Sequence, residues 1–260
     1  MRHFFHDLRR YYRYIFYSAK CLLKNEVANS FLNWIWLVLN PVLFMLVYAF
    51  VQIVIFGNET PYLASFIFIA LTAWNFFNAC INGSVRMMKR YQGIISKVYV
   101  PKFVFVLSNM MVNGFKMLVS FAITLLSVFL YQVPLSPLML WSIPYLLLLF
   151  LITFGLSCIL LHIGVFIDDL ANIVQIGMRM LFFLSGVFYD LEGRLGGLGG
   201  VIAEHLNPAA HIILQLRHVL LYNIAPDLFW FLIWTVIGVF LTAVGVSLIY
   251  RYERRYVKSI

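Results

Sequence analysis

Six apolar runs of helical length, very few charges, and a crowding of Lys and Arg at three places together predict an all-α integral membrane protein with six transmembrane helices. The 260 residues are 63% hydrophobic and 11% charged, with a mean hydropathy of +0.91. A soluble domain of this length is about a quarter charged, and water does not solvate this much apolar surface. The runs are continuous rather than alternating, which favours helices over a barrel. They fall at 31–56, 62–82, 103–131, 138–165, 172–190 and 228–250. Each is close to the ~20 helical residues that a hydrocarbon core requires. One transmembrane domain over residues 1–260 is expected, with a six-span bundle at 31–250 and no separate soluble domain.

Basic residues orient the spans. Six lie in residues 1–30, five in 83–102 and four in the tail 251–260. The connections on the other side, 57–61, 132–137 and 191–227, hold only Arg194 and Arg217. The positive-inside bias places both termini and the 83–102 segment in the cytoplasm. The net charge of +9 then reflects topology and contact with membrane lipid, and no nucleic-acid partner is implied. The first thirty residues are interrupted by six bases and do not read as a cleavable signal.

Residues 1–30 predict a basic amphipathic helix rather than a span. Phe4, Leu8, Tyr11, Ile15, Ala19 and Leu22 recur every three or four residues, while Arg9, Arg13, Lys20 and Lys24 occupy another face. Such a helix suits the headgroup layer on the cytoplasmic side, the alternative being a helix packed on protein. The 191–227 stretch is too apolar for a solvated loop, yet "VIAEHL" and "AAHIILQLRHVLLY" are too short to cross, with Asn207-Pro208 breaking between them. A pair of external re-entrant half-helices before the last span is expected, with irregular backbone covered by protein or lining a cavity.

Motifs for chemistry are scarce. No GxxxxGK[ST] phosphate loop, HExxH or GxSxG occurs, and the three cysteines show no CxxC spacing. No metal site and no enzymatic activity of its own are expected. Asp168 and Asp169 in "GVFIDDLANI" are neighbours on a helix and do not converge. They read as a boundary, with Asp169 capping the cytoplasmic end of the fifth span.

Lys116 and Arg179 fall near the middle of the third and fifth spans, with no acidic residue in any predicted span core to pair with them. A central cation costs ~2.5–3.5 kcal/mol on insertion scales. Either these side chains snorkel to the surface or they face a wet cavity that receives an anionic solute. Aromatics reach 18% and include Trp34, Trp36, Tyr48, Phe76, Phe77, Phe182, Phe183, Phe188 and Tyr189. Most fit an interfacial belt, while a minority are candidates to line a sugar path.

The ordered motifs resemble the membrane (permease) subunit of ABC exporters of the polysaccharide, O-antigen and teichoic-acid type, the type-2 ABC permeases. The similarity runs from about residue 30 to the C-terminus. It rests on "LNWIWLVLNP", "LTAWNFF", "IISKVYVPK", "VFIDD", "FFLSGVFY", Asn207-Pro208 and Arg217. Asn33, Asp168 and Gly186 depart from the family's glycine, arginine and proline. The resemblance implies a bacterial cytoplasmic (inner) membrane protein whose two copies enclose a channel for a lipid-linked glycan. Its energy would come from a separate ATPase subunit, which supplies ATP and Mg. A coupling helix within 83–97 would sit on that ATPase through Arg86, Lys89, Arg90, Tyr91 and Lys97. The substrate path would draw on Trp34, Trp36, Lys116, Arg179, Phe182, Phe183, Tyr189 and Arg217. A secondary transporter, a permease for another lipid or drug-like substrate and an intramembrane transferase are the competing readings. The first of these predicts two similarly interrupted half-repeats, and only one break is evident, near the end.

Overall fold

The computed structural model describes residues 2–28, 35–55, 57, 62–189 and 204–259, and all of the regular structure among them is helical. The first helix, α1 (Arg2–Ala28), is followed by α2 (Ile35–Phe50), which runs on through a π turn, Val51–Ile55. Next come α3 (Leu63–Val85), two single-turn helices α4 (Met87–Arg90) and α5 (Gln92–Ile95), and α6 (Phe103–Leu130). After a 3-10 turn at Pro137–Trp141 come α7 (Ser142–Phe166), α8 (Leu170–Leu184), α9 (Pro208–Arg217) with a π turn at His218–Tyr222, and α10 (Leu228–Ser259).

Among the described residues, five segments are long and apolar enough to cross a membrane: Val38–Ile55, Leu63–Val85, Phe103–Leu130, Pro137–Phe166 and Leu228–Glu253. The sixth expected span is shorter than its apolar run suggests. α8 has 15 residues, about 22 Å at 1.5 Å per residue, and stops at a turn in which Gly186 takes a φ of +59°. The hydrophobic run continues through Val187 and Phe188, so composition alone extends the helix too far.

α3 is the centre of the bundle, with α2, α6, α7, α8 and α9 all packed on it. Its small residues Ser65, Ala70, Ala73 and Cys80 are buried and let neighbours approach closely. Ser65 and Thr72 meet Ser127 and Thr124 of α6 at 2.8 and 3.4 Å. α7 and α10 form the most extensive pair, and they do so backbone to backbone. A Cβ on Gly155 would lie 2.7 Å from the Thr242 amide nitrogen, and one on Gly245 would lie 2.8 Å from the Gly155 carbonyl. α2 is the outlier, with Val38, Phe44, Leu46, Val47 and Phe50 exposed.

The segments with the basic clusters converge on one end of the bundle. Phe4 of α1 packs on Phe103 at 4.9 Å, and Tyr250 of α10 donates to Asp7 at 2.6 Å. Lys102 pairs with Glu253 at 3.1 Å, and Lys89 pairs with Asp168. α1 presents its predicted apolar stripe to this end and to α6. Phe4, Ile15 and Ala19 are buried there, with Leu8 and Tyr11 packed alongside. The stripe thus packs on protein, and the face left exposed carries Phe5, Tyr12, Phe16 and Tyr17 among the bases Arg9, Arg10 and Arg13.

At the opposite end the helical path is interrupted at Asn207-Pro208. Glu204–Leu206 is helical, Asn207 accepts from the Ala209 amide at 3.0 Å, and Pro208 opens α9. Asp227 caps α10 in the same way, accepting from Phe229 and Trp230. The remainder of the expected re-entrant segment, 191–203, lies outside the described residues.

Candidate functional site

Two polar stripes run along otherwise apolar helices. On α3, Asn75, Asn78 and Asn82 follow at steps of three and four, and the series continues through Arg86 to Arg90 of α4. On α8, Asn172, Gln175 and Arg179 repeat the pattern. Steps of three and four keep side chains on one helix face. The two stripes face one another across a cavity of about 520 Å³. At Asn78 and Arg179 it continues into a second cavity of about 380 Å³, lined by Phe44 and Tyr48 of α2, Trp74 of α3 and Phe182 and Phe183 of α8. One groove therefore runs from a polar, basic end to an aromatic middle. Phe182 anchors its wall, 5.4 Å from Trp74 and 5.1 Å from Phe188, and Phe188 lies 4.0 Å from Tyr48.

The groove's lining carries arginines, and the acid-paired lysines lie outside it. Lys89, Lys102 and Lys116 pair with Asp168, Glu253 and Glu26 respectively. Lys89 holds the Asp168 carboxyl below its ordinary pKa, first by a hydrogen bond and then by its charge. Arg86, Arg90 and Arg179 line the groove, and among the described residues none has an acidic partner. The groove is thus a concentration of uncompensated positive charge beside amide groups.

The turn that ends α8 closes the aromatic part. Its backbone leaves the helix, so its carbonyls need partners from elsewhere. Arg217 of α9 supplies them, donating to Gly186 at 2.9 Å and Val187 at 2.8 Å, with a longer bond to Phe66 of α3 at 3.3 Å. Its guanidinium also lies over the Phe66 ring. Asn207 donates to the Ser185 hydroxyl at 2.9 Å, and Gln52 in the π turn after α2 donates to Phe188 at 3.0 Å.

The residues expected from the sequence separate into distinct places. Arg179, Phe182 and Phe183 lie in the groove. Trp36 is exposed on α2, and Trp34 lies outside the described residues. Tyr189 donates back to the Phe183 carbonyl at the closing turn. Arg217 is 4% exposed and holds backbone, so it supports the groove rather than lining it. Lys116 is not an unpaired cation as expected: Glu26, carried up by α1, pairs with it beside a separate 160 Å³ cavity. That pairing was hidden in the sequence because Glu26 belongs to a segment outside the spans.

The proposed ATPase-docking set is likewise divided. Arg86 and Arg90 turn into the groove, Lys89 engages Asp168, and Tyr91 stacks on Phe105 at 4.6 Å. Lys97 is exposed. Asp169 stands at the N-cap of α8, but its carboxylate makes no capping bond. With φ −77° and ψ −7° it is already helical, whereas a capping side chain works from the extended region. Its carbonyl accepts from Asn172 and Ile173 instead. No cluster of three or more His, Cys, Asp or Glu with metal-binding geometry occurs among the described residues. Sequence reasoning missed Phe44, the three asparagines of α3, Asn172 and Gln175. Their three-and-four spacing was the available signal.

No protein-family model matches the chain. Two curated relatives, each an "O-antigen export system permease protein RfbA" from Klebsiella pneumoniae, are 27% and 26% identical over 92% of this chain and 91% of their own length. A protein of the same name from Myxococcus xanthus is 27% identical over 79% of each chain. The likeness carried by the motifs therefore extends along nearly the whole polypeptide: this is a multi-pass membrane chain that resembles the type-2 ABC permeases of O-antigen export.

Proposed function

We infer that this chain is the channel-forming membrane subunit of an ATP-driven exporter that carries a lipid-linked polysaccharide of the O-antigen kind across a bacterial cytoplasmic membrane. The observation that carries this reading is the single groove with a basic, amide-lined end and an aromatic middle. Aromatic faces offer apolar area to successive sugar rings without demanding one sequence of sugars. Guanidinium and amide groups at the other end suit an anionic linkage.

The groove lies open on one side of the chain, along exposed α2 and α8. A second copy closing over it completes a channel of the kind the reading requires. The basic end faces the cytoplasm by the positive-inside bias. The sequence contains no phosphate loop, and ATP with Mg is hydrolysed on a separate partner subunit. That partner docks at the basic end, where exposed Ile94, Val98 and Tyr99 flank Lys97.

The test is purification from native membranes followed by reconstitution. A nucleotide-hydrolysing subunit should co-purify in stoichiometric amount, and together the two should move a lipid-linked glycan only when ATP is supplied. Uphill movement by this chain alone in vesicles contradicts the reading.

A further inference from the structure

We propose that the His205–His211 pair is an acid-sensitive fastening. While both imidazoles are neutral it holds α9 in place, and through Arg217 it holds the turn that closes the groove. Acid on the side opposite the basic clusters then loosens the aromatic end of the groove, whatever the groove carries.

His205 sits on the short helical turn before Pro208, and His211 on the first turn of α9. Their rings lie 5.6 Å apart. His211 is fully buried, and among the described residues neither of its nitrogens has a hydrogen-bond partner. The Nδ1 of His205 is buried without one as well. A phenylalanine would fill the same space with no nitrogen left over, so the imidazoles are poor choices as packing alone. What holds them is contact with α7 and α10. His205 stacks on Trp230 at 4.6 Å, and Trp234 donates its indole N–H to the His205 carbonyl at 3.1 Å. The Tyr145 ring of α7 lies 6.2 Å from His211.

The surroundings favour the neutral rings. α3, on which α9 also packs, carries no charged residue. From α7 comes Tyr145, whose hydroxyl is shared between Gln215 Oε1 and the Asp227 carbonyl. From α10 comes Asp227, whose carboxylate accepts from the Phe229 and Trp230 amides. Buried Glu204 precedes His205, and His218 opens the π turn that follows α9. Burial first, and then the neighbouring His205, push the His211 pKa down to about 4, with Asp227 opposing and His218 adding to the fall. A histidine held below its ordinary 6.5 stabilises the closed arrangement fully above that value, and the stabilisation is lost as the pH falls from there toward 4. Two protonated rings at this spacing also repel one another.

The effect reaches the groove along one short helix. His211 and Arg217 both belong to α9, and Arg217 donates to the Gly186 and Val187 carbonyls. Release of α9 from α7 and α10 therefore withdraws the partners of the closing turn.

The full chain in lipid nanodiscs is followed by hydrogen exchange from about pH 7.5 to about pH 5.5, with protection taken relative to the intrinsic rate at each pH. Protection across residues 204–222 should fall by about tenfold, the linkage expected when a group of ordinary pKa 6.5 is held at about 4. Residues 185–189 should follow, while residues 149–158 within α7 should not. His211→Phe should keep its protection at the lower pH and lose the response. In the wild type, the imidazole NMR signal of His211 should show no titration near pH 6.5. Should His211→Phe fail to fold, that signal and the wild-type exchange profile decide the matter. A His211 signal that titrates near its ordinary value overturns the proposal, and so does a His211→Phe chain that loses protection as the wild type does. Equal loss in residues 149–158 is general acid loosening and overturns it too. Loss across 204–222 with residues 185–189 unchanged breaks the link to the groove, which is the remaining way for it to fail.

Discussion

Arg217 of α9 donates to the carbonyl of Val187 at 2.8 Å, joining two segments thirty residues apart at the point where α8 leaves its helix. The guanidinium satisfies the neighbouring Gly186 carbonyl as well. Non-helical backbone in an apolar setting persists only when such partners exist. Arg217→Met should leave those carbonyls unpaired, at ~1–3 kcal/mol each, and lower the thermal stability of the detergent-purified chain. Arg217→Lys should recover part of the loss, since one ammonium cannot reproduce the fork. A melting profile for Arg217→Met equal to the wild type would show the turn to be held otherwise.

Arg179 and Lys116 were equivalent in the sequence and are not equivalent in space. Arg179→Met should reduce glycan transport while leaving ATPase association unchanged, because it removes a groove cation. Lys116→Met should leave transport nearly intact and instead increase hydrogen exchange in the last turns of α1, where Glu26 loses its partner. Reversal of these two phenotypes would place the path on the α6 side of α3.

Lys102 is 2% exposed and its only ion-pair partner among the described residues is Glu253, which also accepts from Tyr99 at 3.0 Å. Removal of one member of a buried pair costs ~3–5 kcal/mol, while replacement of both by apolar groups costs far less. Lys102→Met should therefore destabilise the protein more than the double variant with Glu253→Leu. Unfolding measured across the full mutant cycle gives the coupling.

The backbone contact between α7 and α10 admits no side chain. Gly155→Leu or Gly245→Leu should force the helices apart, with overpacking of ~1–3 kcal/mol or more, and give aggregated or poorly expressed protein. Gly93→Leu, in open space on the basic end, is the control and should behave as wild type.

The Lys89–Asp168 contact is exposed and should respond to salt. Its carboxyl pKa is depressed, so the contact is fully present above the ordinary carboxylate value of 3.8. It is lost only as the pH falls through the lower folded-state value. Hydrogen-exchange protection across residues 166–170, taken relative to the intrinsic exchange rate at each pH, should match between Asp168→Asn and wild type in high salt, and should be unchanged between neutral pH and pH about 5. A change within that window would mean that another group governs the turn.

Much of this fold was legible because membrane insertion filters sequence so strongly. The apolar runs located α2, α3, α6, α7 and α10, and Asn207-Pro208 marked the break before α9. The end of α8 was not legible, because Val187 and Phe188 are as apolar as a helix interior and only the partners of the turn explain its position. Asp169 reads as a capping residue, yet its own helical dihedrals keep the carboxylate out of reach.

By itself the sequence determined that the chain lives in a bilayer, which ends are basic, and that it has no phosphate loop of its own. Those properties follow from composition and local pattern, which every residue carries regardless of its neighbours. Only the tertiary structure decided that Arg86, Arg90 and Arg179 share one groove, that Glu26 neutralises Lys116, and that Arg217 holds a turn. Each of these is a meeting of residues far apart along the chain. A stripe at helical spacing shows which residues share a face, but the face that it meets is decided by the packing of α3 and α8.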